Sequence, residues 1–182
     1  MNALTTIDAP LADTAAATIL RGAPRARFSL RLRGDAAPFE TALGLALPAE
    51  IGRRASAGSR EILRLGPDEW VLHGAPDEAA AIESALAPLY AAHPHSLVDI
   101  SGREISFVIE GARAAELLTI GCPRDISAIP DGSGRRTVFD GTTVILWRDS
   151  PTRFRIDVWN SFAPHLLDLL VTGARELAAE RS

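Results

Sequence analysis

The amino-acid sequence predicts an α+β fold made of two similar halves. Its short strands are grouped between single helices, whereas a doubly wound parallel sheet needs a helix between nearly all of its strands. Residues 34–48 and 111–123 both begin with glycine, continue with a helical pattern and end with proline. We therefore expect an internal duplication of β2-α-β3-α-type halves, about residues 25–92 and 96–178, with helices packed on mostly antiparallel sheets. Together they would form a single domain over residues 25–182.

The first half alternates apolar and charged residues at its start, a period typical of a strand with one buried face. Its strands are predicted at residues 27–33, 61–65 and 69–73, the last two forming a hairpin around a Gly-Pro-Asp turn. Asp35 is the predicted N-cap of a helix that ends near Leu45, and Asp77 is the predicted N-cap of the helix that closes the half.

The second half repeats this order. Its strands are predicted at residues 96–100, 104–110, 136–139, 143–147 and 154–158. One helix is expected at residues 112–120, where Gly121 stops it, and the last helix at about 162–178, weakly interrupted by Gly173. Asn160 or Ser161 is the predicted cap of this last helix.

Three stretches lack a regular period and are predicted to be irregular. Residues 1–24 are expected to form a flexible N-terminal arm. Residues 51–59, which contain glycine, serine and arginine, are expected to form an exposed loop and are the best candidate for local disorder. Residues 131–134, Asp-Gly-Ser-Gly, read as a mobile turn, because their spacing matches neither a dinucleotide-binding nor a Walker loop.

Composition excludes several classes of function. The net charge of -4 gives no concentrated basic face for nucleic acid, and no apolar run approaches the roughly 20 residues that cross a bilayer. The N-terminus lacks the pattern of a signal peptide, so we expect a cytoplasmic protein. All 19 basic residues are arginine, which excludes Schiff-base catalysis by lysine. A single cysteine excludes an intrachain disulfide and a cluster of thiolate ligands.

The candidate chemical groups each have a structural alternative. Cys122 is expected to be a buried thiol, since a nucleophile would need a histidine partner. His93 and His95 flank a proline in a predicted loop without neighbouring carboxylates, which disfavours a metal site. His165 lies three residues before Asp168 on the last helix, at a spacing that suits a hydrogen-bonded pair. No pair of carboxylates is spaced for acid-base work among Asp99, Asp125, Asp140 and Asp157. We therefore predict no catalytic, cofactor-binding or metal-binding residue.

Aromatic residues are concentrated near the C-terminus of a chain that is only 5% aromatic. Trp159 and Phe162 lie on either side of the predicted step from the last strand to the last helix, where the fold fixes a side chain that still faces outward. Tryptophan is enriched among the residues that anchor protein interfaces. Together with His165, they are the candidate subunit interface, and burial of Trp159 within its own chain is the alternative.

Three stretches of the sequence resemble a known family. They are Leu-Gly-Pro-Asp-Glu-Trp-Val-Leu at 65–72, Val-Asp-Ile-Ser-Gly-Arg at 98–103 with Gly-Cys-Pro-Arg-Asp at 121–125, and Arg-Thr-Val-Phe at 136–139 with Val-Ile-Leu-Trp-Arg at 144–148 and Phe-Arg-Ile-Asp-Val-Trp-Asn-Ser-Phe-Ala-Pro at 154–164. Over roughly residues 25–172 the chain resembles the gamma subunit of heterotetrameric sarcosine oxidase. The Gly-Cys-Pro and Trp-x-Ser-Phe-Ala-Pro runs are the more specific, since related folate-binding domains share the first stretch.

The resemblance implies a duplicated, folate-binding-domain-like fold, as in the glycine-cleavage T-protein. It also implies a non-catalytic structural subunit of a bacterial complex that oxidatively demethylates sarcosine to glycine, with no activity for this chain alone. Its partners would be the alpha, beta and delta subunits. The resemblance assigns FAD, FMN, NAD, tetrahydrofolate and zinc to those partners.

Other classes of protein use the same fold. The alternative is a free-standing protein that binds tetrahydrofolate in one-carbon metabolism, or an aminomethyltransferase-like enzyme. Folate-dependent iron-sulfur assembly proteins carry a Lys-Gly-Cys-Tyr-type motif followed by glutamine, and this chain contains neither lysine nor glutamine, so Cys122 does not match that cysteine. The sequence does not separate a free-standing interaction module from a dedicated subunit.

Overall fold

The computed structural model describes residues 9–180, which contain eleven strands and four α-helices. The strands are β1 (Ala12–Asp13), β2 (Thr18–Arg21), β3 (Ala26–Leu32), β4 (Arg54–Ala57), β5 (Arg60–Gly66), β6 (Glu69–Gly74), β7 (His95–Asp99), β8 (Glu104–Glu110), β9 (Ser133–Phe139), β10 (Thr142–Ser150) and β11 (Arg153–Trp159). The helices are α1 (Ala37–Leu43), α2 (Ala79–Leu86), α3 (Ala114–Leu118) and α4 (Ala163–Ala179). No helix in this range is long and apolar enough to cross a membrane.

The first compact unit covers Pro24–Gly102. Its five strands form an antiparallel sheet in the order β4-β5-β6-β3-β7. Apolar residues of this sheet form one buried cluster with Phe39 of α1 and with Ile82 and Leu86 of α2. The core of this unit therefore lies between one face of the sheet and the two helices. Complete burial of each such side chain stabilises the fold by about 1.5–3 kcal/mol.

The second compact unit covers, among the described residues, 9–23 and 103–180. Its sheet is also antiparallel, in the order β1-β2-β8-β11-β10-β9. The buried face of α4 follows the helical period through Leu166, Leu170, Ala174 and Leu177, which pack in one cluster with residues of the sheet and of α3. This unit therefore repeats the arrangement of helices on one face of an antiparallel sheet.

The order of elements confirms the predicted duplicated α+β fold. The elements β2-β3-α1-β4-β5-β6-α2 are followed by β7-β8-α3-β9-β10-β11-α4. Each repeat therefore consists of two strands, a helix, three strands and a helix, which is the predicted β2-α-β3-α type. The first strand of each repeat joins the sheet that holds the rest of the other repeat, since β2 pairs with β8 and β7 pairs with β3. The compact units therefore differ from the predicted halves by one exchanged strand each. A single domain over residues 25–182 stays a prediction.

The strand register matches between the repeats. Leu63 pairs with Val71 in the β5–β6 hairpin, and Trp147 pairs with Arg155, each 84 residues later, in the β10–β11 hairpin. Both hairpins have a register shift just before the turn, between Arg64 and Gly66 in the first and at the corresponding place in the second. The repeats are thus aligned residue by residue from β5 to the helix that follows β6.

One arginine in each repeat holds the loop that precedes the three-stranded part of its sheet. The guanidinium carbon of Arg64 lies 4.7 Å from the ring centroid of Trp70, and that of Arg148 lies 5.7 Å from the ring centroid of Phe154. Arg64 also donates a hydrogen bond to the carbonyl oxygen of Ala49 at 2.6 Å, as Arg148 does to Ile129 at 2.8 Å. These two arginine–aromatic pairs occupy aligned positions and are part of the common fold.

The structure differs from the sequence predictions in two stretches. Within the predicted arm, residues 1–8 lie outside the described residues, but Thr18–Arg21 forms β2, and Ala16, Ala17 and Ile19 are buried. The predicted exposed loop at 51–59 contains β4, which pairs with β5. Both strands are only four residues long, and pairing with a neighbour stabilises them more than their own patterns indicate.

The helix ends also differ from the predictions. Asp77 lies in a 3-10 turn, Pro76–Glu78, and does not cap the helix that begins at Ala79. The N-cap of α4 is Phe162 rather than the predicted Asn160 or Ser161, and the side chain of Phe162 makes no capping hydrogen bond. Gly173 does not interrupt α4: a Cβ atom there would lie 2.6 Å from Cδ1 of Ile120 and 3.0 Å from Cδ1 of Leu117, so glycine permits the close approach of α3 and the residues just after it.

Candidate functional site

The candidate site is the step from β11 to α4, residues 159–162, which we call the second junction. Trp159 is the last residue of β11 and pairs with Glu104 at the start of β8. The backbone N–H of Asn160 donates to the carbonyl oxygen of Arg103 at 2.8 Å, and that of Phe162 donates to the carbonyl oxygen of Trp159 at 2.9 Å. Backbone hydrogen bonds therefore fix the position of both aromatic residues.

Both aromatic side chains of the second junction are exposed. Trp159 is 45% exposed and Phe162 is 44% exposed, and their ring centroids are 6.4 Å apart with an angle of 42° between the rings. The alternative that Trp159 is buried within its own chain is therefore wrong. The aromatic core of this unit includes instead Trp147 and Phe154, which are fully buried.

Arg103 completes the exposed aromatic surface. Its guanidinium carbon lies 5.1 Å from the ring centroid of Trp159, within the range of a cation–π interaction, and Nη2 donates to Oε1 of the buried Glu104 at 2.9 Å. We call Arg103, Trp159 and Phe162 the junction patch. The candidate interface predicted from the sequence does not include Arg103, because only the pairing of β8 with β11 brings this residue beside Trp159.

His165 takes a different partner from the predicted one. Its Nε2 lies 2.7 Å from Oδ2 of Asp140, so it does not form the predicted pair with Asp168. Asp140 and Gly141 form the turn between β9 and β10, both with positive φ, as a two-residue hairpin with a type I′ turn requires. Both side chains of the pair are more than half exposed, and such surface pairs contribute little to stability.

The first repeat contains the counterpart of this site, residues 75–78, which we call the first junction. Displacement by 84 residues places Ala75 at the position of Trp159 and Glu78 at that of Phe162. The carboxylate of Glu78 accepts hydrogen bonds from the hydroxyl of Ser59, from the backbone N–H of Ala75 at 2.8 Å and from Arg60 at 2.9 Å. The hydrogen bond from Ser59 is the largest cause that lowers the pKa of Glu78. The common fold thus forms this step without an aromatic residue.

Several other predicted residues have structural roles. Cys122 is buried, as predicted, and its Sγ lies 3.8 Å from Oγ1 of Thr137. His95 belongs to β7 rather than to a loop, and its ring lies edge-on to Phe39 with centroids 4.9 Å apart. The mobile turn predicted at 131–134 is wrong at its end, because β9 begins at Ser133. Pairing with β10 and burial hold Ser133 and Gly134 in the sheet.

The four aspartates have separate surroundings. Asp157 is buried and accepts hydrogen bonds from Nε1 of Trp147 at 2.5 Å and from the hydroxyl of Ser106. Asp99 accepts a hydrogen bond from the backbone N–H of Ser101, and Asp125 from that of Ser127. The hydroxyl of Ser127 is the largest cause that lowers the pKa of Asp125. Across residues 9–180, no group of three or more His, Cys, Asp or Glu side chains could hold a metal ion.

Comparisons with known proteins agree with this topology. The model of the sarcosine oxidase gamma subunit family matches residues 33–176. Sarcosine oxidase subunit gamma of Corynebacterium sp. (strain U-96) is 31% identical over 146 residues, which cover 79% of this chain and 70% of that protein.

Two solved structures share the fold. The heterotetrameric sarcosine oxidase of Corynebacterium sp. U-96, in complex with pyrrole 2-carboxylate, contains a chain with a TM-score of 0.80 and 28% identity, over 93% of this chain and 89% of that chain. The glycine cleavage system aminomethyltransferase T of Bartonella henselae has a TM-score of 0.63 at 14% identity, over 87% of this chain and 46% of that chain, which shows a shared fold alone. On the strength of the family match, the resemblance seen in the sequence is confirmed, and the chain belongs to the sarcosine oxidase gamma subunit family.

Proposed function

We propose that this chain is the non-catalytic, structural gamma subunit of a heterotetrameric sarcosine oxidase, a complex that oxidatively demethylates sarcosine to glycine. The observation that carries the proposal is the likeness, over 93% of the chain, to a chain of the heterotetrameric enzyme. The family match over residues 33–176 supports it. No activity is expected for this chain alone.

The partners in this proposal are the alpha, beta and delta subunits, and the complex is cytoplasmic, without nucleic acid or membrane as a partner. FAD, FMN, NAD, tetrahydrofolate and zinc belong to the partner subunits. The chemistry of this chain supports that assignment, because it offers one buried cysteine and no lysine. A thiolate cluster needs several cysteines, and a phosphate-binding loop of the Walker type needs a lysine.

Trp159, Phe162 and His165 form part of the surface that contacts a partner subunit. The comparison of the two junctions supports this role, because Ala75 and Glu78 form the same step in the first repeat. The fold therefore does not require the exposed Trp159 beside Arg103 at this position. Tryptophan and arginine are also the residues that most often dominate the binding energy of interfaces.

The test is co-expression with the products of neighbouring genes, followed by size-exclusion chromatography and flavin absorbance. We expect the chain to elute with its partners in one flavin-containing complex that produces hydrogen peroxide from sarcosine. The isolated chain should lack flavin absorbance and produce no peroxide. Turnover by the isolated chain would contradict the non-catalytic role, and elution of only free monomer would contradict the subunit role. Tight binding of tetrahydrofolate by the isolated chain would favour the alternative, a folate-binding one-carbon protein.

A further inference from the structure

We propose that the junction patch binds a segment of a partner subunit in which an aspartate or glutamate side chain stands beside an apolar one. The carboxylate would contact the guanidinium of Arg103, and the apolar side chain would contact the rings of Trp159 and Phe162. This inference rests on the proposed function, since it names the chemistry of the partner at the same surface.

The hydrogen-bonding capacity of Arg103 points to the carboxylate. A guanidinium has five N–H donors in one plane, and stacking on a ring leaves all of them available. Among residues 9–180, the acceptor of Arg103 is Oε1 of Glu104, which uses Nη2 and leaves Nε and Nη1 without an acceptor. The side chain is 47% exposed, so these donors are accessible to a partner. A carboxylate offers two coplanar oxygens that match such a pair of donors.

Glu104 and Trp159 prepare the arginine for this contact. Glu104 is buried and holds one end of the guanidinium at 2.9 Å, while the guanidinium carbon lies over the indole ring, 5.1 Å from its centroid. A side chain already held in one orientation loses less conformational entropy on binding than a free one. The pair with Glu104 reduces the net charge at the patch, so the partner carboxylate binds through directed hydrogen bonds as well as through charge.

The aromatic rings indicate the apolar neighbour. Arg103 covers one face of Trp159, and the rings of Trp159 and Phe162 are inclined at 42° with almost half of each residue exposed. An apolar side chain placed against both rings would remove this surface from water. The pairing of β3 with β6 corresponds to that of β8 with β11, and this correspondence aligns Pro24 with Arg103. Ala75 and Glu78 take the positions of Trp159 and Phe162, so the first repeat carries no such patch.

The absence of lysine from the chain allows a direct test. Arg103→Lys places the chain's single ε-amine at the patch, and a carbodiimide then couples this amine to an adjacent carboxylate with loss of water, forming an amide bond. The reaction is carried out on the purified complex with its partner subunits, and the coupled peptides are mapped by mass spectrometry. Arg53→Lys, at an arginine that is 62% exposed, is the matched control.

We expect an amide between the introduced amine and an Asp or Glu of a partner subunit in the Arg103→Lys complex, with an apolar residue next to that Asp or Glu. The Arg53→Lys complex should not give this product. The introduced amine is also expected to couple to Glu104 within the chain. Because the free protein gives the same internal product, that product is not counted as a contact with a partner. An intact complex whose amine couples only to Glu104 would overturn the inference.

The affinity of assembly gives a second readout that does not depend on the coupling reaction. Arg103→Gln should weaken assembly at least about tenfold, because hydrogen bonds to a charged group are lost, while Arg53→Gln should leave it unchanged. The Arg103→Gln complex should also lose less affinity than the native complex when the salt concentration is raised.

The outcomes separate this inference from the proposed function. If Trp159→Ala weakens assembly but Arg103→Gln changes neither affinity nor salt dependence, the surface is correct and the carboxylate is wrong. If neither variant changes assembly, the patch is not the interface, although the subunit role stands. If the native chain forms no complex, the proposed function fails and this inference fails with it.

Discussion

The two junctions of this chain have the same backbone course and different surfaces. In each, the last strand of the repeat is followed by a helix, and the two helices begin at aligned positions, Ala79 in the first repeat and Ala163 in the second. The first junction is closed by hydrogen bonds to Glu78, whereas the second exposes Trp159 and Phe162. A duplicated fold thus contains its own control. Features present at both junctions are needed for folding, and the aromatic residues, present at one, are available for binding.

The largest expected effect concerns the aromatic residues that both repeats share. Trp70→Ala or Phe154→Ala should lower the free energy of unfolding by about 3–5 kcal/mol, because each removes a buried aromatic ring that packs against an arginine. Urea unfolding of the isolated chain measures the loss. Trp159→Ala is the matched control and should cost less than about 1 kcal/mol, since its ring is half exposed. An equal loss for Trp70→Ala and Trp159→Ala would break the comparison.

An intermediate effect is expected where residues 16–17, just before β2, pack against Gly111 within the second unit. A Cβ atom on Gly111 would lie 2.7 Å from the carbonyl oxygen of Ala16 and 2.8 Å from Cα of Ala17, so the backbone itself would have to move. Gly111→Ala should cost about 3 kcal/mol in unfolding experiments.

Gly34→Ala is the control for this prediction. Gly34 and Gly111 both have a positive φ, but a Cβ atom on Gly34 would meet nothing within 4 Å. Its cost should be about 1 kcal/mol, from the backbone conformation alone. Equal costs at the two positions would mean that residues 16–17 do not pack against Gly111.

The smallest expected effect is a dependence on pH at the first junction. The hydrogen bond from Ser59 lowers the pKa of Glu78 below its usual 4.5, so the charged form stabilises the folded chain above that pH. This contribution is lost as the pH falls through the lowered pKa. Glu78→Gln should therefore cost about 1 kcal/mol at pH 7 and almost nothing at the acid end of the unfolding profile. A difference between the two proteins that does not change with pH would show that the charge of Glu78 is not the cause.

The sequence predicted the long elements well because their patterns are local. The apolar period of α4 and the alternation in β3 are visible in a single segment. In contrast, Thr18–Arg21 and Arg54–Ala57 are short, and they become strands by pairing with β8 and β5. Pairing with a distant segment has no local pattern, so the predictions of a flexible arm and of an exposed loop missed both strands.

The candidate site was predictable in part for the same reason. Trp159 and Phe162 stand out in the sequence as a motif, but Trp70, in a similar motif, is buried while Trp159 is exposed. Arg103 and Asp140 reach the site through strand pairing and a hairpin turn, and no spacing in the sequence connects them to Trp159 or His165. The structure adds these partners to a motif that the sequence identifies.

The most direct test transfers the residues of the first junction to the second. The double variant Trp159→Ala with Phe162→Glu introduces the side chains that Ala75 and Glu78 provide at the aligned positions. Its melting temperature as an isolated chain and its assembly with the partner subunits are measured on the same preparation. We expect a melting temperature within a few degrees of the native chain and assembly at least about thirtyfold weaker. A variant that still assembles with native affinity, or one that no longer folds, would contradict the account.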